Sequence, residues 1–352
     1  MSKVTTLKDV AEYAGVSTAT VARVIHANGY VAEETENRVR EAIDATNYRV
    51  SSIAASLRRQ RTATIGHVLR ATFPNTFYSL VALGAEQFAR DHDYSVLAFN
   101  AMGSPELERE GIETFIGRRV DAILFTTPID PTNVQLALDA GVPVVQVERP
   151  ALSKTDRVIV DNYSGAVAAM EHLIALGHRH IAFIGQDPKA IANPLVRYVE
   201  EERFNAYLDT LASHHIDVRP DYIRMGKYYA LGDRDSLQDG YRFTHQLLAL
   251  PHPPTAIFAT SDIPALGTLQ AINENRLFVP DDISVIGFDD TYSAFVAPPL
   301  TTVRMPMEEL GRVAVQMALE RIESDHDEYN RPQIIKLETE FIIRKSTSPL
   351  LG

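Results

Sequence analysis

Residues 7–24 combine small, apolar and hydroxyl side chains at the spacing of two short helices joined by a tight turn. Such a pair needs a small residue where the helices cross, glycine where the backbone turns with positive φ, and apolar residues underneath. Ala11 and Gly15 meet the first two requirements, and valines meet the third. Ser17 can accept a hydrogen bond at the start of the second helix. The pattern predicts a helix-turn-helix, and the alternative is an ordinary helical hairpin.

The first turn of the predicted second helix could contact DNA. It carries Thr18, Ala19 and Thr20, and Arg23 follows one turn later. The N-terminal residues of such a helix are offered to base edges in the major groove, while the helix N-terminus and Arg23 suit phosphates. We therefore expect double-stranded DNA to be a partner.

The remaining motifs offer no catalytic or metal chemistry. Four histidines, His178, His180, His214 and His215, could suggest a metal site, but no carboxylate lies at a recognised ligand spacing. The sequence contains no glycine-rich phosphate loop, no G-x-S-x-G and no H-E-x-x-H. We expect no catalytic residue, no metal and no cofactor, and we interpret the chain as a binding protein and not an enzyme.

Charge is distributed unevenly along the 352 residues. There are 34 basic and 46 acidic residues, a net charge of −12, which by itself argues against a nucleic-acid partner. Residues 1–62, however, hold nine basic and seven acidic residues, a net charge of +2, which leaves −14 for the rest. The charge pattern predicts a small basic reader attached to a large acidic body.

Composition also indicates the cellular compartment of the protein. Cysteine is absent, which removes disulfides and fits a reducing compartment. No run approaches the ~18 apolar residues of a membrane span, and the N-terminus lacks an apolar signal-peptide core. We expect a soluble cytoplasmic protein without a membrane partner.

From residue 64 onward, short apolar runs alternate with amphipathic segments of helical length. Runs that are apolar on both faces indicate strands buried under helices, and the alternation indicates parallel βαβ units. Residues 120–148 and 254–289 loosely repeat one strand, turn, helix and strand pattern. This repeat predicts two similar α/β lobes with a small-molecule cleft at the carboxyl ends of their strands. The alternative is that βαβ units simply look alike. The predicted strands are 64–69, 94–99, 122–125, 142–147, 180–184, 256–259, 283–288 and 341–344.

With these motifs in place, the chain resembles the lactose-repressor (LacI/GalR) family of bacterial transcription regulators over essentially its full length. The resemblance implies an α/β fold class: a small all-α helix-turn-helix headpiece plus a two-lobed effector core of the type I periplasmic-binding-protein (Rossmann-like) fold. The matching segments are 6–11, 14–17, 20–21, 23–24, 47–57, 118–123, 160–162, 176–181, 285–290 and 298–303.

The resemblance also implies how the chain divides. We expect a headpiece, a hinge helix with its linker, a two-lobed core that carries effector binding and dimerisation, and a short tail. Their ranges are 1–49 for the headpiece, 50–62 for the hinge, 63–345 for the core and 346–352 for the tail. Within the core, the N-lobe spans about 63–162 plus 293–322, and the C-lobe about 163–292 plus 323–345.

By resemblance, Thr18 and Ala19 take the two main base-reading positions, and Leu57 enters the minor groove from paired hinge helices. An apolar wedge there unstacks a base step; the alternative for Leu57 is packing on its own domain. Val50 and Ser51 depart from the family's usual Pro-Asn. With Thr and Ala as readers, we expect specificity to depend on the thymine methyl and DNA shape. The full set of predicted DNA contacts is Thr6, Ser17, Thr18, Ala19, Thr20, Arg23, His26, Tyr30, Ala54 and Leu57.

The family's effector contacts map onto three charged residues. Asp262 aligns with a ligand-binding aspartate and could accept two hydroxyl hydrogen bonds; its alternative is the N-cap of a helix starting at Ile263. Arg203 offers a guanidinium fork suited to vicinal hydroxyls, a carboxylate or a phosphate; its alternative is an ion pair with Glu200. Arg149 is similar to another common contact, with a solvated loop arginine as its alternative.

Further effector contacts are expected around these charges. Asn75, Phe77 and Tyr78 stand where the family supplies an amide and aromatic rings, although aromatics at helical spacing are more often core. Tyr228 could act similarly from the other lobe. Asp289 follows a strand end, where a hinge or turn role is as well supported as ligand contact.

Together these features predict a DNA-binding transcriptional regulator that binds a pseudo-palindromic operator as a homodimer. We expect this regulator to be a repressor. A small effector between the lobes, with a sugar or sugar derivative favoured, would control DNA affinity. The location would be cytoplasmic and nucleoid-associated. A transport-type binding protein of the same fold is the main alternative, and a sugar-processing enzyme is a weaker one.

Overall fold

A computed structural model describes most of the chain, in two compact units, 1–62 and 63–352. Within the described ranges no helix is both long and apolar enough to span a membrane. Those ranges are 5–25, 28–48, 61–71, 76–191, 193–226, 233–324 and 331–350.

The first unit contains three helices, α1 (Leu7–Ala14), α2 (Thr18–Ile25) and α3 (Glu33–Thr46). Helix α1 begins with a capping box, in which Thr6 and Asp9 satisfy each other's backbone N–H groups. It ends at Gly15, whose φ of +65° is the left-handed conformation predicted for the turn. The three helices enclose a small core formed by Val10, Ala11, Ala14, Val21, Val39 and Ala42.

The second unit alternates strands and helices along most of its length. The strands are β1 (Thr64–Leu69), β2 (Ser95–Asn100), β3 (Ala122–Thr126), β4 (Val144–Val147), β5 (Asp156–Val160), β6 (Ile181–Gln186), β7 (Ile223–Gly226), β8 (Ala256–Ala259), β9 (Ser284–Asp289), β10 (Thr301–Arg304), β11 (Ile334–Leu337) and β12 (Glu340–Ile342). The helices are α4 (Thr76–Asp91), α5 (Pro105–Gly117), α6 (Pro131–Asp139), α7 (Asn162–Ala175), α8 (Pro194–Ser213), α9 (Asp233–Leu248), α10 (Asp262–Glu274) and α11 (Met307–Glu323).

These strands form two six-stranded sheets, each the centre of one lobe. The first sheet is parallel throughout, in the order β11-β5-β4-β3-β1-β2. The second has the order β12-β10-β9-β8-β6-β7 and is parallel except for β12. Strands β3, β4 and β8 are buried at every position, as expected for strands covered by helices on both faces. Mixed α/β architecture with two parallel-sheet lobes is therefore confirmed.

The chain crosses between the lobes three times, and two of the predicted crossing points are wrong. Residues 301–304 were assigned to the N-lobe, but β10 pairs in parallel with β9 in the second sheet. Residues 334–337 were assigned to the C-lobe, but β11 pairs in parallel with β5 in the first. The crossings therefore follow β5, β10 and β11. The reason is strand pairing, because each of these strands hydrogen-bonds to the sheet of the lobe other than the one to which the sequence assigned it.

The described part of the tail is bound to the second lobe and is not a separate segment. Ser346 is fully buried, donates to the carbonyl of Val285 at 2.6 Å and accepts from the backbone N–H of Thr301 at 2.8 Å. His178 contacts the Ser348 carbonyl at 3.1 Å. The prediction of a distinct tail over 346–352 is corrected for 346–350, because its polar groups complete the hydrogen bonding of the second sheet.

Candidate functional site

The start of helix α2 is arranged as the sequence predicts for a DNA-reading helix. The Ser17 hydroxyl accepts from the Thr20 backbone N–H at 3.1 Å and lies 2.9 Å from the Thr20 hydroxyl. This cap satisfies one of the free N–H groups at the helix start. Thr18, Ala19 and Arg23 are exposed. The first turn of α2 therefore presents two short side chains and a cation to solvent.

The structure describes only some of the other predicted DNA contacts. Tyr30 is 93% exposed and free to reach a partner surface. The Thr6 side chain is engaged with Asp9, through bonds of 2.6 and 3.4 Å. His26, Ala54, Leu57 and most of the hinge lie outside the described residues.

Sequence reasoning missed a residue that supports the turn of the headpiece. Arg38 of α3 donates to the carbonyl of Ala14 and, at 3.4 Å, to that of Gly15. The last carbonyls of a helix lack partners within the helix, and a cation there also suits the helix dipole. Arg38 therefore ties the C-terminal end of α1 to α3. The glycine predicted at the end of α1 indicates that carbonyl groups there need hydrogen-bond donors from outside the helix. No residue near Gly15 in the sequence identifies Arg38 as that donor.

The cleft of the second unit lies where the carboxyl ends of the two sheets meet. Glu148 and Arg149 follow β4, and Asn162 follows β5, all at the end of the first sheet. Thr260 follows β8, and Asp289 ends β9, both in the second sheet. Polar contacts across this junction join the residues of the first sheet to those of the second. This placement agrees with the cleft predicted from parallel strand ends.

Arg203, from α8, is the centre of the cleft. Its Nε and Nη2 both donate to the Asn162 Oδ1, at 3.0 and 2.7 Å, and Nη1 donates to the Thr260 carbonyl at 2.5 Å. Its guanidinium lies 3.7 Å from the ring centroid of Phe288, and Asp289 Oδ1 lies 3.6 Å from Nη2. Burial lowers the pKa of Arg203. The predicted alternative, an ion pair with Glu200, is wrong, because this side chain points to the strand ends.

Glu200 instead forms an ion pair with Arg149, across the cleft. The two terminal nitrogens of Arg149 donate to the two carboxylate oxygens at 2.6 and 2.7 Å, and the side chains are only 15% and 7% exposed. The alternative of a solvated loop arginine is therefore wrong. Two more bonds join the same elements: Asn193 donates to the Ala151 carbonyl at 3.1 Å, and Tyr198 to the Glu148 carbonyl at 3.2 Å. We call these cross-lobe contacts of α8 and its cap the latch.

Two carboxyl groups in the cleft have raised pKa values. Desolvation by burial raises the pKa of Asp289 to about 8, against a partial opposing effect of Arg203. Burial likewise raises the pKa of Glu148, whose oxygens accept from Asn162 Nδ2 and the Val160 N–H, both at 3.1 Å. Asp289 also adopts a φ of +101°, a strained value for a residue with a side chain. Strained and desolvated groups gathered in one cleft mark a functional-site candidate.

The predicted ligand contact Asp262 already has hydrogen-bond partners within its own lobe. The residue is fully buried, and its oxygens accept from the backbone N–H groups of Thr291 and Tyr292 at 2.8 and 3.1 Å and from the Thr302 hydroxyl at 2.9 Å. Helix α10 begins at Asp262 with Ser261 as N-cap, so the capping alternative is wrong. Asp262 instead holds the loop after β9 within its own lobe.

Two of the aromatic residues predicted to contact the effector, Phe77 and Tyr78, are at least half-buried. Phe77 is 8% exposed and packs in a hydrophobic core cluster, while its role as a ligand-facing ring stays a prediction. Tyr78 is half-buried, and its hydroxyl accepts from the Thr127 hydroxyl at 3.1 Å. Asn75 and Tyr228 lie outside the described residues.

Two of these histidines have ordinary structural partners. His178 contacts the hydroxyls of Thr255 and Ser284 at 3.0 and 3.1 Å, and His214 contacts Glu171 at 2.8 Å. Over the part of the chain that the structure describes, no three His, Asp or Glu side chains are grouped so as to hold a metal ion.

A helix-turn-helix unit joined to a two-lobed α/β unit with a polar interlobe cleft defines the class of ligand-responsive DNA-binding regulators. Two family models match the chain: the bacterial regulatory proteins of the lacI family over residues 6–51, and the periplasmic binding protein-like domain over residues 170–347. The chain belongs to the lacI family of bacterial transcription regulators.

Known relatives match nearly the whole chain. The HTH-type transcriptional repressor PurR of Actinobacillus pleuropneumoniae serotype 3 is 33% identical over 348 residues, which cover 98% of this chain and 99% of the relative. A lac repressor dimer, solved bound to operator and the anti-inducer ONPF, is 27% identical with a TM-score of 0.80, covering 98% and 100%. The transcriptional regulator CelR in complex with cellobiose is 26% identical with a TM-score of 0.69, covering 97% and 99%.

Proposed function

We propose that this protein represses transcription by binding a pseudo-palindromic operator as a homodimer, and that a small ligand in the interlobe cleft controls its DNA affinity. The exposed first turn of α2, capped by Ser17, is the observation that carries the DNA-binding part. Arg23 supplies a phosphate contact one turn later. With a net charge of only +2 over residues 1–62, one headpiece binds weakly at physiological salt. Two headpieces on one palindrome overcome that weakness.

The proposed ligand response uses the latch. Because Arg149 and Glu200 belong to different lobes, any change in the angle between lobes alters the distance between them. A ligand that binds one interlobe angle better than another shifts the balance between the two forms. Coupling between two sites of this kind typically amounts to about 1–3 kcal/mol. The proposed hinge at 50–62 transmits the shift to the headpieces.

Within the cleft, Arg203 and Asp289 are the residues we propose to contact the ligand. A sugar or sugar derivative fits them, because its hydroxyls can donate to Asp289, and the similarity to a regulator solved with cellobiose supports this class. We propose that the protein acts by binding alone, without catalysis, on the nucleoid in the cytoplasm.

Selection of duplexes from a random DNA pool, followed by fluorescence anisotropy on the selected operator, tests the DNA-binding part. Wild-type protein should select an inverted repeat, and Arg23→Ala should weaken binding. Leu57→Ala should weaken it further on sites that require bending. Selection of no preferred sequence would refute the proposed repressor. A mass measurement by size-exclusion chromatography that shows a persistent monomer, with and without DNA, would refute the homodimer.

A further inference from the structure

Between α2 and α3, Asn28 is followed by Gly29, the one asparagine–glycine pair in the sequence. Both residues are exposed. An asparagine side chain can be attacked at its carbonyl carbon by the backbone nitrogen of the following residue, which closes an imide ring. Glycine hinders this attack least, because it has no Cβ and reaches backbone conformations that are closed to other residues. The sequence therefore places its most reactive asparagine in the headpiece.

The local structure leaves both reacting groups accessible. The backbone N–H of Asn28 donates to the Arg23 carbonyl at 3.1 Å, which holds this residue at the end of α2. Among the described residues, none hydrogen-bonds to the Asn28 side chain or accepts from the Gly29 N–H. Gly29 has a φ of +99°, and a Cβ added there would lie 4.0 Å from Arg23 Cδ, its nearest neighbour beyond the adjacent residues. No described neighbour therefore obstructs the attack.

The two other asparagines of the headpiece are also exposed, but their surroundings protect them. Asn47 precedes Tyr48, whose N–H already donates to the Ile43 carbonyl at 3.1 Å. Asn37 lies inside α3, where the N–H of the next residue belongs to the helical hydrogen-bond ladder. A bonded N–H in a fixed helix or cap cannot turn toward the side chain before it. Asn28 alone of the three combines a following glycine with an N–H that no described residue accepts.

We propose that Asn28 is a site of spontaneous deamidation, and that this modification lowers the affinity of the headpiece for DNA. The Gly29 nitrogen bonds to Asn28 Cγ, the Cγ–Nδ2 bond breaks, and ammonia leaves with the Gly29 amide proton. Water then adds across one of the two imide C–N bonds. Opening at Cγ gives aspartate, and opening at the backbone carbonyl gives isoaspartate. The sum is asparagine plus water to an acid plus ammonia, without a further reactant.

The new carboxylate lies close to a predicted DNA contact. Tyr30 is two residues further along the chain and 93% exposed. Each conversion lowers the net charge over residues 1–62 by one, from +2 to +1. Because neutralisation of phosphates dominates DNA affinity, a carboxylate at this position repels the duplex. Isoaspartate adds a second change, since it lengthens the backbone between α2 and Tyr30. The modification itself is independent of the proposed repressor function, whereas its effect on operator affinity rests on that function.

Peptide mass spectrometry tests the modification on the full-length protein. Incubation in mildly alkaline buffer increases the deprotonated fraction of the attacking amide, and a zero-time sample corrects for conversion during digestion. Trypsin cleavage after Arg23 and Arg38 releases residues 24–38, so Asn28 and its matched control Asn37 lie in one peptide. Asn28 should lose its amide while Asn37 stays intact. An unchanged Asn28, or equal conversion of both residues, would overturn the proposal.

Fluorescence anisotropy on the selected operator tests the effect on DNA binding. By Coulomb's law in water, a unit charge about 8 Å from a phosphate changes affinity about twofold, so two headpieces with Asn28→Asp should lose about fourfold at low salt. Asn37→Asp is the matched control, because it adds the same charge to α3. Asn28→Gln keeps a neutral amide on a longer side chain that closes the ring poorly, so it should retain its affinity through the incubation.

Two results would overturn the proposed loss of affinity. One is Asn28→Asp binding as tightly as wild type or as Asn37→Asp, and the other is Asn28→Gln losing affinity during incubation as fast as wild type. If wild type selects no operator, the repressor proposal fails, while the peptide map still decides whether Asn28 is modified.

Discussion

The raised pKa of Asp289 makes the stability of the second unit depend on pH in a direction that Asp289→Asn should abolish. The carboxyl group has a pKa of about 8 when folded, against an ordinary value of 3.8. Between these values the folded chain keeps a proton that the unfolded chain has released. The stabilisation is complete below the unfolded value, falls as pH rises toward 8, and is constant above it.

The magnitude follows from the same two values. One proton of difference changes the free energy of unfolding by about 1.4 kcal/mol per pH unit. Because the folded group is already half-ionised near pH 8, the change between pH 6 and pH 8 comes to about 2 kcal/mol. Asn cannot titrate, so Asp289→Asn should gain about 2 kcal/mol relative to wild type over that interval.

The assay is urea unfolding followed by far-ultraviolet circular dichroism at half-unit steps from pH 5.5 to 8.5, without ligand. Asp217→Asn is the matched control, because it removes an exposed carboxylate from the second lobe and leaves the cleft intact. The reasoning is refuted if the difference between Asp289→Asn and wild type is the same at pH 6 and pH 8. It is also refuted if the control shows an equal trend.

Three further predictions concern other contacts. Arg149→Met and Glu200→Met should each cost about 3 kcal/mol of unfolding free energy, while the double variant costs less than their sum; additive values in a double-mutant cycle would contradict the latch. Asp262→Ala should lower the free energy of unfolding by about 3 kcal/mol, because it leaves buried N–H groups without an acceptor, and an unchanged urea midpoint would contradict that. Arg38→Met should weaken operator binding without altering its salt dependence, whereas loss of a phosphate contact would reduce the slope of log affinity against log salt by about 0.9 per headpiece.

The headpiece could be predicted closely because its determinants are local. The φ of Gly15, the Ser17 cap and the burial of Val10 and Val21 all follow from residues within one or two turns of each other. Arg38 could not be found in this way, since its partners lie 23 and 24 residues earlier in the chain. Local chemistry identified the helices, and the tertiary structure supplied the residue that ties them together.

In the cleft, the sequence could not distinguish the surroundings of the two predicted aspartates. Asp262 and Asp289 both follow buried strands, so both were candidates. What separates them is the loop at Thr291 and Tyr292, which folds back over Asp262 and fills its acceptor positions. The pairing of Arg149 with Glu200 could not be predicted either. The two residues are 51 positions apart in the chain and meet only because the two lobes lie side by side.

The lobe boundaries failed for a related reason. Strand β11 is short and half-exposed, so its composition does not say which sheet it joins. Only the register of Ile334 to Leu337 against Arg157 to Val160 decides that it completes the first sheet. Edge strands that return from far along the chain carry little of the pattern that marks central strands.

The late position of β11 and β12 has a consequence for how the protein comes into being on the ribosome. The first sheet lacks its edge until residue 337 is made, and the second until residue 342, whereas residues 1–62 form a separate unit. At bacterial and eukaryotic synthesis speeds the headpiece precedes both completed lobes by about 15 to 55 seconds. During that interval a nascent chain carries a headpiece with no finished sensor, and with a net charge of only +2 we expect such a single headpiece to occupy DNA weakly.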